Sequence, residues 1–243
     1  MKSPVFFIGN KRCGTTALVN ALNQHPDVFI TQESDLLWLL YSKAVSGRFE
    51  YFPKDGIDGA GNTLVQATDI LESGLSPRGK FNAATIHLLR EGTPYTIADK
   101  EKQPTVLGDK KPESTTVALR WAIKNGFADA KVIHLTRHPD EFIKSVSNQP
   151  KLKKYWGDTD DKLFQKWVDF EERAINVICN TGVKSRHLQF FELINEPWKV
   201  LEDLWNFLEV DFNEEIEERV SKQDRFGIKQ IETKPFKMKD YVY

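Results

Sequence analysis

Cysteine is almost missing from this chain: Cys13 and Cys179 are the only two among 243 residues. Two isolated thiols cannot build a disulfide framework, and their surroundings show no zinc-ligand spacing, so a reducing compartment is expected. No apolar run approaches the ~20 residues that cross a bilayer. The first apolar segment begins at Val5, which leaves no room for a signal peptide. A cytoplasmic protein is therefore expected, without membrane insertion. Charge of one sign is lacking too. Lys and Arg total 34 against 35 Asp and Glu, a formal net charge of -1, with a pI near 6.5. No general basic field exists to hold a nucleic-acid backbone or an acidic membrane, so any polyanion site must be local. Repeats and low-complexity stretches are absent. What is present is 40% hydrophobic content, enough for one substantial core at ~100 to 200 residues per domain. The expectation is a single domain over residues 1–243.

The most informative stretch runs from Val5 to Thr16. An apolar strand, Val5 to Ile8, enters a turn bracketed by Gly9 and Gly14, and a helix follows from Thr15 to Gln24. Glycines permit close backbone approach, and the amides that open a helix have no intrahelical partner, so anions settle there. The helix dipole adds roughly 0.3 to 1 kcal/mol per interacting charge. Against the pattern G-x-x-x-x-G-K-[ST], the glycine spacing fits and Thr16 takes the hydroxyl place, but Thr15 replaces the lysine that reaches the terminal phosphates of ATP. Positive charge sits earlier, at Lys11 and Arg12. The turn suits a phosphate group other than the γ end of ATP.

Strands alternate with helices along the rest of the chain, the pattern of a parallel sheet covered on both faces. After the His25-Pro26-Asp27 stop, Val28 to Thr31 reads as a strand with Glu33 just beyond it. Ser34 is placed to cap a helix over Asp35 to Ser46. From Gly47 to Gln103 the periodicity weakens around helices near Leu64 to Glu72 and Asn82 to Arg90, and this region is read as a substrate-facing insertion. Thr105 to Gly108 reads as a strand, Lys110 to Pro112 as a turn, and Ser114 to Asn125 as a helix. Lys131 to Thr136 reads as a central strand. Arg137 stands at its carboxyl end, where open α/β sheets bind ligands, and Ser145 lies on the helix begun by Pro139. A helix over Lys162 to Cys179, a strand over His187 to Phe191 and a helix from Pro197 to Leu208 follow. After Glu214 come a peripheral helix and an aromatic, lysine-containing tail.

Three of these segments resemble sulfotransferases that use 3′-phosphoadenosine 5′-phosphosulfate, PAPS. Phe7 to Leu18 is similar to the family's 5′-phosphosulfate loop, Val132 to Ser145 to its 3′-phosphate motif, and Phe190 to Pro197 with Phe207 and Leu208 to its carboxy-terminal strand and helix. The resemblance implies an α/β, three-layer P-loop-like sandwich with a central, mostly parallel sheet. It implies a sulfuryl transfer from PAPS to a hydroxyl, less readily an amine, with no metal required. Carried over residue by residue, Lys11, Arg12, Cys13, Gly14, Thr15 and Thr16 are expected to hold the 5′-phosphosulfate, and Arg137 and Ser145 the 3′-phosphate. These form two separated clusters gripping opposite ends of the donor. Arg12 is also expected to act in catalysis by bridging phosphate and sulfonate, whereas Lys11 is left between ligand and solvent.

The acceptor needs a proton-removing group within reach. The branch acting on phenols and steroids uses a His where this chain reads Gly108 to Pro112 and has none. The carbohydrate-type branch implies Glu33 as base and Lys110 as its assistant. Their other readings are a charge at a helix N-terminus and a solvated turn lysine. Cys13 takes a small polar position at a helix N-terminus, where a lowered thiol pKa is conceivable. His25 is read as shaping its turn, His134 as a packed core histidine, and Trp167, Trp198 and Trp205 as core. The acceptor is expected to be a carbohydrate or small metabolite, lined by Phe49, Tyr51, Phe52, Tyr95, Phe236 and Tyr241. Two rivals stay open: a P-loop kinase using ATP and magnesium, and a non-catalytic nucleotide-binding scaffold.

Overall fold

Val5 to Ile8 is an unbroken apolar run because both of its faces are covered. In the computed structural model, which describes residues 1–50, 58–92 and 99–221, this segment is β1 (Val5–Ile8). It is the middle of five parallel strands ordered β2-β3-β1-β4-β5. The others are β2 (Val28–Gln32), β3 (Val106–Lys110), β4 (Lys131–Thr136) and β5 (Lys184–Gln189). Every pairing is parallel, with Val5 opposite Gly108 on one side and Lys131 on the other.

Side chains alternate across the sheet, and each face meets its own helical layer. Val5 and Phe7 pack with α1 (Thr15–Leu22), α10 (Pro197–Leu208) and α11 (Glu214–Ser221). Phe6 and Ile8 pack with α2 (Leu36–Ser46), α3 (Asp58–Glu72), α4 (Pro77–Glu91), α5 (Pro112–Lys124) and α8 (Asp160–Thr181). The Phe6 ring stands 5.4 Å from Phe81 and 5.7 Å from Phe127; burying each such ring stabilises by roughly 1.5 to 3 kcal/mol. Between β4 and α8, α6 (Pro139–Ser147) and α7 (Pro150–Trp156) enclose a smaller cluster around Phe142, Val146 and Leu163. The short α9 (Phe190–Asn195) joins β5 to α10. The expected three-layer α/β sandwich is what the chain forms.

The strand order places the site. From β1 the chain turns toward β2, and from β4 it turns toward β5, so the loops after two adjacent strands diverge and leave a crevice at their carboxyl ends. Both anion-binding segments read from the sequence, after β1 and after β4, open onto it.

Several boundaries differ from expectation, each for a local reason. β3 continues through Asp109 and Lys110, because ion pairing and hydrogen bonds bury both polar side chains at 0% and 2% exposure. Ser34 is not the N-cap residue of α2, although its Oγ accepts from the Leu36 amide at 3.4 Å. Asp35 is the N-cap, in a left-handed conformation with no side-chain cap bond. α4 starts early, at Pro77, where Ser76 accepts a hydrogen bond from the Gly79 amide. α7 carries too short a pattern to show in the sequence. β5 is a polar edge strand with only Leu188 buried, and Phe190 and Phe191 belong to α9. Trp205 is fully buried and Trp198 packs against the same core. Tyr51, Phe52, Tyr95 and the tail with Phe236 and Tyr241 lie outside the described residues, whereas Phe49 packs against the core below the Lys43 amine. Among the described residues no helix is long and apolar enough to cross a membrane.

Candidate active site

The turn after β1 is shaped by what it cannot hold. A Cβ at Gly9 would lie 2.3 Å from the Leu135 carbonyl oxygen, and one at Gly14 would lie 2.3 Å from Cε2 of Phe190. Gly14 caps α1 in a left-handed conformation, φ 88°, without a side-chain cap. The first helical bond runs from the Leu18 amide to the Gly14 carbonyl at 3.1 Å, so the Thr15, Thr16 and Ala17 amides precede it and have no intrahelical acceptor. Thr15 is buried and Thr16 exposed. Arg12 also has a left-handed backbone, φ 69°, which throws its side chain to the surface.

That side chain meets the segment after β4. Arg12 Nε donates to Ser145 Oγ at 3.3 Å, and Arg137 Nη1 donates to the Arg12 carbonyl at 3.0 Å. The Arg137 guanidinium lies 4.4 Å over the Phe190 ring, the same ring that fills the space beside Gly14, and Nε donates to Glu141 at 3.2 Å. The two cationic clusters expected to be separate are therefore contiguous, because β1 and β4 are neighbours in the sheet. Lys11 pairs instead with Glu113 of α5 at 3.2 Å, beside the Trp156 ring.

Glu33 lies one residue past β2, with its amide donating to the Lys110 carbonyl at 3.0 Å. Lys110 Nζ is 2.5 Å from Glu33 Oε1 and 3.2 Å from Thr16 Oγ1, so one ammonium joins Glu33 to the anion turn. Lys110 is 3% exposed in its side chain, not a solvated turn lysine. Lys111 Nζ holds the second oxygen of Glu33 at 2.9 Å and lies 3.7 Å from Asp35. Burial of the Glu33 carboxyl would raise its pKa, but Lys110 and then Lys111 outweigh this and hold it at about 2.

Asp35, Asp109, Ser114 and Lys111 were missed at the sequence level. Glu33 and Asp35 both have left-handed backbones, φ 56° and 54°, at a cost of roughly 1 to 3 kcal/mol each. Buried bonds hold them there. Asp109 accepts from Thr31 at 2.8 Å, Ser34 at 2.7 Å and the Leu37 amide at 3.4 Å, and Ser114 donates to Asp35 at 2.6 Å. Burial pushes the Asp109 pKa up, the hydroxyl donors opposing it. Three of the four non-glycine residues with positive φ among the described residues, Arg12, Glu33 and Asp35, surround this one crevice. A signal was available for Asp109, since a carboxylate facing the sheet interior between β1 and β2 needs donors.

Cys13 differs from expectation. Its side chain is fully buried in the core, and that burial raises the thiol pKa, with the negative charge of Glu171 adding to the rise. It packs rather than reacts. His134 is a buried core residue as read, 3% exposed, and His25 shapes its turn, its Nδ1 accepting from the Asp27 amide at 3.0 Å.

A five-stranded parallel sheet with an open anion turn at the β1 and β4 crevice defines the class: a P-loop-like nucleotide-binding α/β protein. The particular family follows from comparison. A model described as "Sulfotransferase family" matches residues 4–214, and the chain belongs to the sulfotransferase family. The sulfotransferase domain from the curacin biosynthetic pathway has a similar fold, with TM-score 0.64 and 20% identity over 93% of this chain and 80% of that one. The sulfotransferase domain of the Synechococcus PCC 7002 olefin synthase matches with TM-score 0.55 and 21% identity over 93% and 80%. Sulfotransferase STF1 from Mycobacterium tuberculosis H37Rv matches with TM-score 0.51 and 14% identity over 96% and 76%. No curated protein matches the sequence.

Proposed function

We propose that this chain transfers a sulfuryl group from PAPS to a hydroxyl acceptor, with Glu33 as the base. The observation that carries the reading is the Lys110 ammonium, 2.5 Å from Glu33 and 3.2 Å from Thr16, which links a carboxylate to the anion turn. The residues fit such a donor: open amides at Thr15 to Ala17, the Thr16 hydroxyl and Arg12 suit the 5′-phosphosulfate, and Arg137 and Ser145 suit the 3′-phosphate. Cys13 and Gly14 contribute backbone, and Lys11, paired with Glu113, adds local positive charge.

When bound, PAPS supplies an activated sulfuryl group on a phosphate leaving group. The Glu33 carboxylate takes the proton of the acceptor hydroxyl as the oxygen–sulfur bond forms and the bond from sulfur to the 5′-phosphate oxygen breaks. With a pKa near 2 in the structure, Glu33 is always ionised at neutral pH but is a weak base while both lysines hold it. Anionic charge at the turn competes for Lys110, which loosens its grip on Glu33 and raises the basicity of the carboxylate. Arg12 and Lys110 then neutralise charge developing on the leaving phosphate. The acceptor in this reading is a carbohydrate or small metabolite, and the chain is a single domain.

Calorimetry with adenosine 3′,5′-bisphosphate, ATP and adenosine 5′-phosphate tests the reading. Tight binding of the bisphosphate alone is expected, and loss of it on Arg137→Ala. Preference for ATP, or magnesium-dependent binding, would overturn it in favour of a kinase.

A further inference from the structure

A buried polar chain under the crevice has no part in the chemistry just described. Asn10, 2% exposed, follows Gly9 in the anion turn, and its Nδ2 donates to Glu171 Oε1 at 2.7 Å and to the Trp167 carbonyl at 3.4 Å. Glu171 is 7% exposed, and its other oxygen lies 2.9 Å from His134 Nε2 on β4. Trp167 Nε1 donates to the Arg137 carbonyl at 2.9 Å. Trp167 and Glu171 are four residues apart on α8, so a single helical turn holds the Asn10 side chain of one anion-binding segment and the Arg137 carbonyl of the other.

We propose that Trp167 and Glu171 are positioning residues that set the distance between the two phosphate-binding segments and thereby select a nucleotide phosphorylated at both ends. The inference rests on the reading of the crevice as a PAPS site. Its physical basis is that the buried Glu171 carboxylate accepts from Asn10 and faces His134 on the central strand across 2.9 Å, so moving the turn strands a desolvated oxygen and a desolvated amide. The left-handed Arg12 backbone and the open α1 terminus would otherwise let the turn drift, and misplaced donors lose most of their value. The indole bond does the same for Arg137 from the opposite side. Because the two tethers leave one turn of one helix, they fix the segments relative to each other and not merely each in place.

The test measures binding of adenosine 3′,5′-bisphosphate and adenosine 5′-phosphate by calorimetry, with thermal midpoints recorded alongside. Asn10→Ala is expected to weaken both ligands about three- to tenfold, the value of one buried hydrogen bond. Trp167→Phe keeps the ring packing and is expected to weaken only the bisphosphate, by the same factor, since it loosens the segment facing the 3′ end. Glu171→Ala should mimic Asn10→Ala, and Glu171→Gln, which keeps the acceptor for Asn10, should restore affinity to within about twofold. If Glu171→Ala fails to fold, Asn10→Ala and Trp167→Phe decide the matter. Unchanged bisphosphate affinity in both would overturn the inference, and so would equal weakening of both ligands by Trp167→Phe in step with its thermal midpoint. Failure of the unaltered protein to bind the bisphosphate at all would overturn the PAPS reading first, and the inference with it.

Discussion

Replacing Glu33 by Gln removes one negative charge from between two buried ammonium groups while keeping the shape. The magnitude follows from the carboxyl's displacement. A fall from 4.5 to about 2, at about 1.36 kcal/mol per pH unit, corresponds to about 3 kcal/mol. The Glu33 side chain is 31% exposed, and solvent screening reduces the figure to about 2 kcal/mol. For a chain of this size that is a fall of about 4 to 8 °C in thermal midpoint. The pH dependence has a definite sign. The folded pKa is below the unfolded one, so the stabilisation is complete above about pH 4.5 and is lost as pH falls toward 2. Urea unfolding of both proteins between pH 7 and pH 3 should show a gap of about 2 kcal/mol that narrows through the lower half of that range. Sulfuryl transfer by the Gln form should drop at least about a hundredfold, with bisphosphate affinity undiminished or raised, since Lys110 is no longer shared with a carboxylate. A gap that stays constant down to pH 3, or a Gln form of full activity, would refute the reasoning.

Arg12→Ala should lower kcat/KM about a hundred- to thousandfold, the loss of one preorganised donor worth roughly 2.7 to 4 kcal/mol, as read from steady-state kinetics. Gly14→Ala should abolish bisphosphate binding in calorimetry, because the added Cβ meets Phe190 at 2.3 Å and the backbone sits at φ 88°. Lys102→Met should cost about 1 to 3 kcal/mol in urea unfolding without altering nucleotide affinity. The Lys102 amine donates to the Asn23 carbonyl at 2.9 Å, to that of His25 at 3.5 Å and to that of Val28, all far from the crevice chemistry.

Most of the fold was legible because it rests on local signals. The runs Val5 to Ile8 and Lys131 to Thr136 are apolar and bounded by turn chemistry, and the glycine pair around Lys11 to Cys13 marks a strand-to-helix turn by itself. The polar strand ends were not legible. Asp109 and Lys110 look like loop residues until Thr31, Ser34 and Glu33 arrive from β2, a partnership set by strand order, which no periodicity reveals. β5 was read as a strand but placed late, over His187 to Phe191 instead of Lys184–Gln189, since an edge strand with one buried side chain has no alternation to fix its bounds. At the candidate site, Arg12, Arg137 and Ser145 could be named from motif and spacing, and Glu33 and Lys110 only from the resemblance to the carbohydrate-type branch. Their contiguity could not, because it depends on β1 and β4 being neighbours. Cys13 illustrates a competition that sequence leaves open: a helix N-terminus favours the thiolate, burial disfavours it, and here burial wins.

The left-handed backbones of Arg12, Glu33 and Asp35 bear on how this protein would respond to selection for heat tolerance. Arg12 is exposed and its side chain bonds only Ser145 among the described residues, so glycine there would relax the chain. Glu33 and Asp35 instead hold Lys110, Lys111 and Ser114 and would lose more than the relief returns. Arg12→Gly is thus the kind of change that a screen scoring survival alone would collect, and the hardiest survivors would carry a slack crevice. A screen on this scaffold has to score turnover and endurance together.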